Sequence, residues 1–191
     1  MIEIGQKEFL EAITYKLDEA KINYVVCGSL VSSLFGEPRA TNDVDIIIAC
    51  NLKQLRQFMA SFSDDYYADL EMAEDAFKNK SMFNIIDLKS GWKVDLIFLK
   101  EDEYSHEEFS RRRDSKLLGI NVKILTPEDA ILSKLIWSKM GQSERQFRDA
   151  LGVTAVQWGK LDKNYLTKWA KKINVEDILN RVLEEAEKLQ D

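Results

Sequence analysis

The segment Asp43-Val44-Asp45-Ile46-Ile47-Ile48-Ala49 constrains the fold more than any other stretch of the chain. Its isoleucines make both faces of an extended segment apolar, so it reads as a strand deep in a sheet covered by helices. At its head, the two-residue alternation sends Asp43 and Asp45 to the same face. Two carboxylates side by side at the end of a buried strand repel each other and are poorly solvated. A divalent cation resolves that conflict, and oxygen ligands of this kind suit magnesium or manganese, with substrate phosphates completing the shell. The competing reading makes Asp43 a loop residue and Asp45 a solvent contact at the start of the strand.

The elements on either side of this strand alternate. Phe9, Leu10, Ile13 and Leu17 recur at helical spacing over residues 8–20, and residues 24–27 form a short buried strand. Gly28-Ser29 ends that strand and opens a helix over residues 29–35, which Gly36-Glu37-Pro38 stops. Asn51 caps a helix carrying Leu52, Leu55, Phe58 and Met59, expected to cover the sheet. Residues 82–88 and 92–99 are two strands joined by Lys89-Ser90-Gly91, which predicts antiparallel neighbours. Leu117-Leu118 and residues 122–125 flank Gly119 as a last hairpin. Thr126-Pro127-Glu128-Asp129 then combines a cap residue with proline at the first helical position. Helical spacing continues through Lys134 and Leu135, from Ser143 to Val156, and over residues 165–170 and 178–189. The pattern predicts an α/β (α+β) fold: a mixed β-sheet covered by helices in residues 1–125, followed by a C-terminal helical bundle in residues 126–191.

Composition narrows the functional classes. A chain of 191 residues, 45% hydrophobic, is long enough for a full core. Its net charge of -6 argues against a broad, sequence-independent grip on nucleic acid, which needs a basic surface. Cys27 and Cys50 end apolar runs and read as small buried hydrophobes, not as a disulfide or metal pair. Residues 1–7 lack a basic start with an apolar run behind it, and no apolar run approaches membrane-spanning length, so a soluble, cytoplasmic protein is expected.

Two further signals bear on chemistry. Where a strand runs into a Gly-Ser turn that opens a helix, free backbone N–H groups and the positive helix end converge on an anion site. Gly28 lets the backbone approach a ligand closely, and the Ser29 hydroxyl adds a donor to a phosphate oxygen. In Trp92-Lys93-Val94-Asp95-Leu96-Ile97-Phe98-Leu99, an acid interrupts an apolar strand, and its burial needs a reason. If this strand neighbours the one at Asp43, three carboxylates gather for metal-assisted displacement at phosphorus. Lys93 shares the face of Asp95, so the alternative is a Lys93–Asp95 partner set within the sheet, which removes the metal role.

Gly28-Ser29, Arg39-Ala40-Thr41-Asn42-Asp43-Val44-Asp45 and Lys93-Val94-Asp95 together resemble the successive motifs of the polymerase-beta-type nucleotidyltransferase superfamily. The Arg39-x-Thr41 lead-in is closest to its abortive-infection toxin branch, in which Lys134 after a Pro-Glu-Asp start and Asp149 after Arg148 also find counterparts. The resemblance spans residues 24–150. It implies a metal-dependent transfer of a nucleoside monophosphate from a nucleoside triphosphate to a hydroxyl acceptor: a tRNA, a protein or a small molecule. It implies that Asp43, Asp45 and Asp95 are the catalytic, metal-holding carboxylates for Mg2+ or Mn2+. Gly28, Ser29, Arg39, Thr41, Lys93, Lys134 and Asp149 would serve the nucleotide. It also leaves a catalytically inactive nucleotide- or partner-binding relative, or the toxin of a toxin–antitoxin pair with an antitoxin partner.

Each basic candidate has a plainer reading. Arg39 could pair with an acid at its turn, Lys134 could be a solvated helix lysine, and Arg145, Arg148 and Asp149 could form a charged helix face. His106 among Glu103, Glu107 and Glu108 reads as a solvated loop or helix start. Arg111-Arg112-Arg113 reads as a solvated face, open to an RNA backbone if the acceptor is a tRNA. Trp137, Trp158 and Trp169 are expected to fill the bundle core.

Overall fold

The computed structural model describes residues 5–190. Within them lie the helices α1 (Gln6–Glu19), α2 (Gly28–Phe35), α3 (Leu52–Met59), α4 (Leu70–Asn79), α5 (Glu103–Ser110), α6 (Pro127–Gly141), α7 (Glu144–Gln157), α8 (Lys163–Lys172) and α9 (Glu176–Lys188). The strands are β1 (Asn23–Cys27), β2 (Asp43–Ala49), β3 (Tyr66–Tyr67), β4 (Met82–Asp87), β5 (Lys93–Phe98), β6 (Arg113–Leu117) and β7 (Ile120–Ile124). The chain forms two compact units: residues up to Val26 with Thr41–Ile124, and Cys27–Ala40 with residues from Leu125 onward. The division is discontinuous, whereas the sequence pattern suggests one cut between residues 125 and 126.

The first unit is built on one sheet with strand order β3-β4-β5-β2-β1-β7-β6. It is mixed: β2 runs parallel to β5 and β1 parallel to β7, while β3–β4, β4–β5 and β6–β7 are antiparallel. Strands with apolar side chains on alternate positions occupy its middle. Val44, Ile46 and Ile48 of β2 and Val94 and Leu96 of β5 are fully buried, and Ile47 on the opposite face is 8% exposed. Phe9, Leu10, Ile13 and Leu17 line up along α1 and are also fully buried. Asn51 starts α3 with a reciprocal capping box to Gln54, satisfying two otherwise orphaned N–H groups. The expected β4–β5 hairpin and the final hairpin around Gly119 are both present.

Residues 62–79 and 103–110 show no clear period in the sequence, yet they form β3, α4 and α5. Asp69 and Asp102 cap the two helices by accepting from the amides of Met72 and Ser105. Capping therefore signals these starts better than hydrophobic spacing does, because α4 buries only Ala73 and Ala76.

The second unit is the helical bundle of α6 to α9, joined by α2. Thr126 caps α6 through the Asp129 amide, with Pro127 in its first turn. α2 buries Leu30, Val31 and Phe35 and packs on α6 and α7. A Cβ on Gly36 would lie 2.6 Å from the Val153 amide nitrogen, so glycine is what lets the end of α2 meet α7. The tryptophan expectation needs correction. Trp169 is buried, but Trp137 is 46% exposed and Trp158 is half-buried in a 3-10 turn. Helical spacing alone does not say which face of α6 meets its neighbours. Cys27 is buried, Cys50 half-buried, and neither forms a disulfide. Among the described residues no helix is long and apolar enough to cross a membrane.

Candidate functional site

In the first unit the acidic candidates are gathered by strand register. β2 and β5 pair so that Asp43 lies opposite Lys93 and Asp45 opposite Asp95. Alternation then puts all four side chains on one face, while Val44 and Val94 point to the other. Asn84 of β4 pairs with Asp95 from the far side and extends the row to Asp45, Asp95, Asn84. Asn84 is absent from the candidates drawn from the sequence. Its signal was a polar residue interrupting Phe83 and Ile85, legible only once the β4–β5 register is known.

The row is graded in exposure. Asp43 is exposed, Asp45 half-buried, and Asp95 only 8% exposed. The Lys93 ammonium lies 2.8 Å from Asp95 Oδ2 and 3.7 Å from Asp43 Oδ1. Its hydrogen bond to Asp95 holds the Lys93 pKa above its ordinary value; burial opposes this, and the charges of Asp95, Asp43 and Asp45 reinforce it. The partner set weighed from the sequence thus exists and reaches a second carboxylate. Asp95 Oδ1, by contrast, is buried with no hydrogen-bond partner. A buried carboxylate oxygen left unsatisfied is costly, and a cation beside it removes the cost. On that ground Asp95, with Asp43 and Asp45 on the same face, could hold a hard divalent ion once the side chains adjust. As the side chains stand, no group of three or more His, Cys, Asp or Glu among the described residues is arranged to hold a metal. Thr41 is half-buried at the approach to β2, its hydroxyl 3.4 Å from the Asp43 amide and its carbonyl accepting from the Gln6 amide.

In the second unit the basic candidates form a single network. Gly28 opens α2 at φ +65°, a conformation that side chains with a Cβ disfavour. The next residue, Ser29, accepts hydrogen bonds from the Arg39 guanidinium and, at 3.4 Å, from Lys134. Arg39 grips Asp149 with two parallel bonds, Nε to Oδ1 and Nη2 to Oδ2, each 3.0 Å. Lys134 Nζ reaches Asp149 Oδ2 at 2.8 Å. Burial pushes the Asp149 carboxyl up, but the hydrogen bonds from Arg39 and Lys134 outweigh it and leave the pKa below its ordinary value. The plainer readings of Lys134 and Asp149 fail here. Lys134 is 4% exposed, not solvated, and Asp149 turns inward from a helix whose Arg145 and Arg148 stay exposed. Arg39 pairs with an acid from α7, not from its own turn.

Two cations on one carboxylate leave a net positive charge beside the Ser29 hydroxyl and the first turn of α2. That combination suits a phosphate oxygen. Beside it, Ser32, Glu37, Pro38, Arg39, Arg145, Arg148 and Gly152 line a cavity of about 380 Å³. His106 lies in α5, exposed, with Nε2 4.0 Å from Glu101. Arg112 stacks on Phe109 and donates to its carbonyl, while Arg113 enters β6, so the basic triplet is not one continuous face.

No protein-family model matches the sequence, and no curated protein matches it either. Similarity appears among solved structures. An antigenic nucleotidyltransferase-like protein from Paracoccidioides brasiliensis matches 94% of this chain over 92% of its own, with TM-score 0.54 and 17% identity. The antibiotic-resistance factor ANT(2'')-Ia matches 98% over 97% of its own, with TM-score 0.51 and 11% identity. Both likenesses are of fold, at identities too low to carry a role from residue to residue. With a seven-strand mixed sheet and a helical bundle among the described residues, this chain has the fold of nucleotidyltransferase-like proteins.

Proposed function

We propose that the protein is a metal-dependent nucleotidyltransferase that moves a nucleoside monophosphate from a nucleoside triphosphate to a hydroxyl acceptor. The observation that carries this reading is the row of Asp43, Asp45 and Asp95 on two paired parallel strands, with the buried Asp95 Oδ1 lacking a partner. Asp43, Asp45 and Asp95 would hold Mg2+ or Mn2+, which when bound would stabilise charge on the attacking and leaving oxygens. Asp95 orients the acceptor hydroxyl and takes its proton. Within the second unit, Ser29, the backbone at Gly28, Arg39 and Lys134 form an anion site suited to phosphate oxygens. Asp149 keeps Arg39 and Lys134 in place, and Thr41 steadies the approach to Asp43. The Arg39-x-Thr41 lead-in supports a place in the abortive-infection toxin branch, with an antitoxin as partner and a tRNA, protein or small molecule as acceptor.

A second reading rests on Lys93. Its ammonium already pairs with Asp95 and reaches Asp43, as it would in an inactive relative that binds a nucleotide or a partner without turnover. One experiment separates the two. Purified protein is incubated with manganese and triphosphates labelled at the alpha-phosphorus, with and without Asp43→Ala/Asp45→Ala. Metal-dependent binding that the double substitution abolishes, followed by transfer of label to an acceptor, supports the enzyme. Binding unchanged in the double variant overturns the site.

A further inference from the structure

The carboxylate row contains its own cation. Asp45 and Asp95 stand directly opposite each other on neighbouring strands, with Asp43 one step along the same face. Like charges so placed destabilise a sheet unless something neutralises them. Lys93 is the residue that does so, 2.8 Å from Asp95 Oδ2 and 3.7 Å from Asp43 Oδ1. Its reach stops short of the far oxygen: Asp95 Oδ1 remains buried without a hydrogen-bond partner. The lysine also approaches from the open side. Its side chain is 31% exposed and that of Asp43 51%, against 11% for Asp95. A compact ammonium on a flexible, partly exposed four-carbon stem can leave its carboxylates without disturbing the strand that carries it.

We propose that Lys93 is a displaceable internal cation: it holds the Asp43–Asp95 pair together in the metal-free protein, and a divalent ion must drive it out to bind. The inference rests on the metal reading above and adds to it a competition between metal and lysine. Its consequence is regulatory. Metal affinity in the absence of nucleotide is held down by Lys93. Once displaced, the ammonium is released toward solvent on the carboxylate face, where it is available to an anionic ligand. Metal and an anion then assist each other, because each favours the state in which Lys93 has left Asp95.

The test uses Mn2+ alone, titrated into wild-type protein and into Lys93→Met, Lys93→Arg and Asp45→Asn and followed by electron paramagnetic resonance of free manganese. Lys93→Met keeps the stem and removes the charge, and it is expected to bind manganese roughly tenfold more tightly than wild type, the size of a typical coupling between sites. Lys93→Arg, whose fork grips a carboxylate with two bonds, is expected to bind more weakly than wild type. Equal or weaker binding by folded Lys93→Met overturns the inference while leaving the metal reading intact, provided that Asp45→Asn abolishes binding to wild type. No manganese binding by wild type overturns both. A second measurement needs no substitution. Acylation of Lys93 by a water-soluble active ester, read by mass spectrometry, is expected to rise several-fold when manganese is added, with exposed Lys53 as the control. No rise at Lys93 also overturns the inference.

Discussion

Lys134 and Asp149 meet at 2.8 Å from neighbouring helices, and their side chains are only 5% and 9% exposed. The two losses are unequal: without Lys134 the carboxylate is still held by Arg39, whereas without Asp149 both buried cations lose it. Asp149→Ala is therefore expected to lower unfolding free energy by about 3–5 kcal/mol, measured by urea denaturation. Lys134→Met, which keeps the volume and leaves Arg39 on the carboxylate, should cost less than Asp149→Ala.

The pH dependence of stability follows from Asp149. Its folded pKa is depressed, because hydrogen bonds from Arg39 and Lys134 outweigh burial. A depressed carboxylate contributes stability that is fully present above its unfolded pKa and lost as pH falls through its folded pKa. Thermal unfolding from pH 7 downward should therefore show a loss that begins near the ordinary value of 3.8 and continues below it. In Asp149→Asn that segment of the profile should flatten.

Asp95→Asn separates chemistry from folding. The substitution keeps the shape of a buried side chain and removes its negative charge and its capacity to take a proton. Transfer of a labelled nucleotide should fall by about 10²-fold or more while the fold is retained. Transfer at the wild-type rate would rule Asp95 out as the proton acceptor.

Gly36→Ala probes the contact between α2 and α7. The added carbon would lie 2.6 Å from the Val153 amide nitrogen and 2.8 Å from the Gly152 carbonyl carbon, both backbone atoms. Stability should drop by about 1–3 kcal/mol, the ordinary cost of overpacking, measured by chemical denaturation. An unchanged midpoint would mean that the two helices separate freely.

Cys50 should be chemically quiet. Burial pushes its thiol up to about 11, with Lys80 pulling weakly the other way, so almost no thiolate is present near pH 8. Iodoacetamide is expected to label Cys50 far more slowly in the native protein than in urea, read by mass spectrometry.

Several of these residues were visible in the sequence for local reasons. The run from Val44 to Ile48 announces a buried strand, Asn51 and Thr126 announce helix starts, and Asp43 and Asp45 share a face because strands alternate. Others could not be seen. α4 buries only Ala73 and Ala76, too narrow a stripe to show a period, α5 buries the polar Ser105 and Glu108 along with Tyr104 and Phe109, and Trp137 sits at helical spacing yet faces outward, since spacing does not say which side of a helix has a neighbour.

The candidate site divides along the same line. Asp43, Asp45 and Asp95 are legible because a charge placed in or beside an apolar run is a local anomaly, and Arg39 and Lys134 only because the resemblance to nucleotidyltransferase motifs points to them. Their partners are not, because pairing depends on contacts between residues far apart in the chain. The register of β2 on β5 sets Asp45 against Asp95, the antiparallel return of β4 adds Asn84, and the packing of α2 on α6 and α7 takes Arg39 to Asp149 across 110 positions. Propensity and alternation act over a few residues and are written in order along the chain. Which carboxylate a buried cation meets is decided by the packing of whole elements, and only the folded chain contains that.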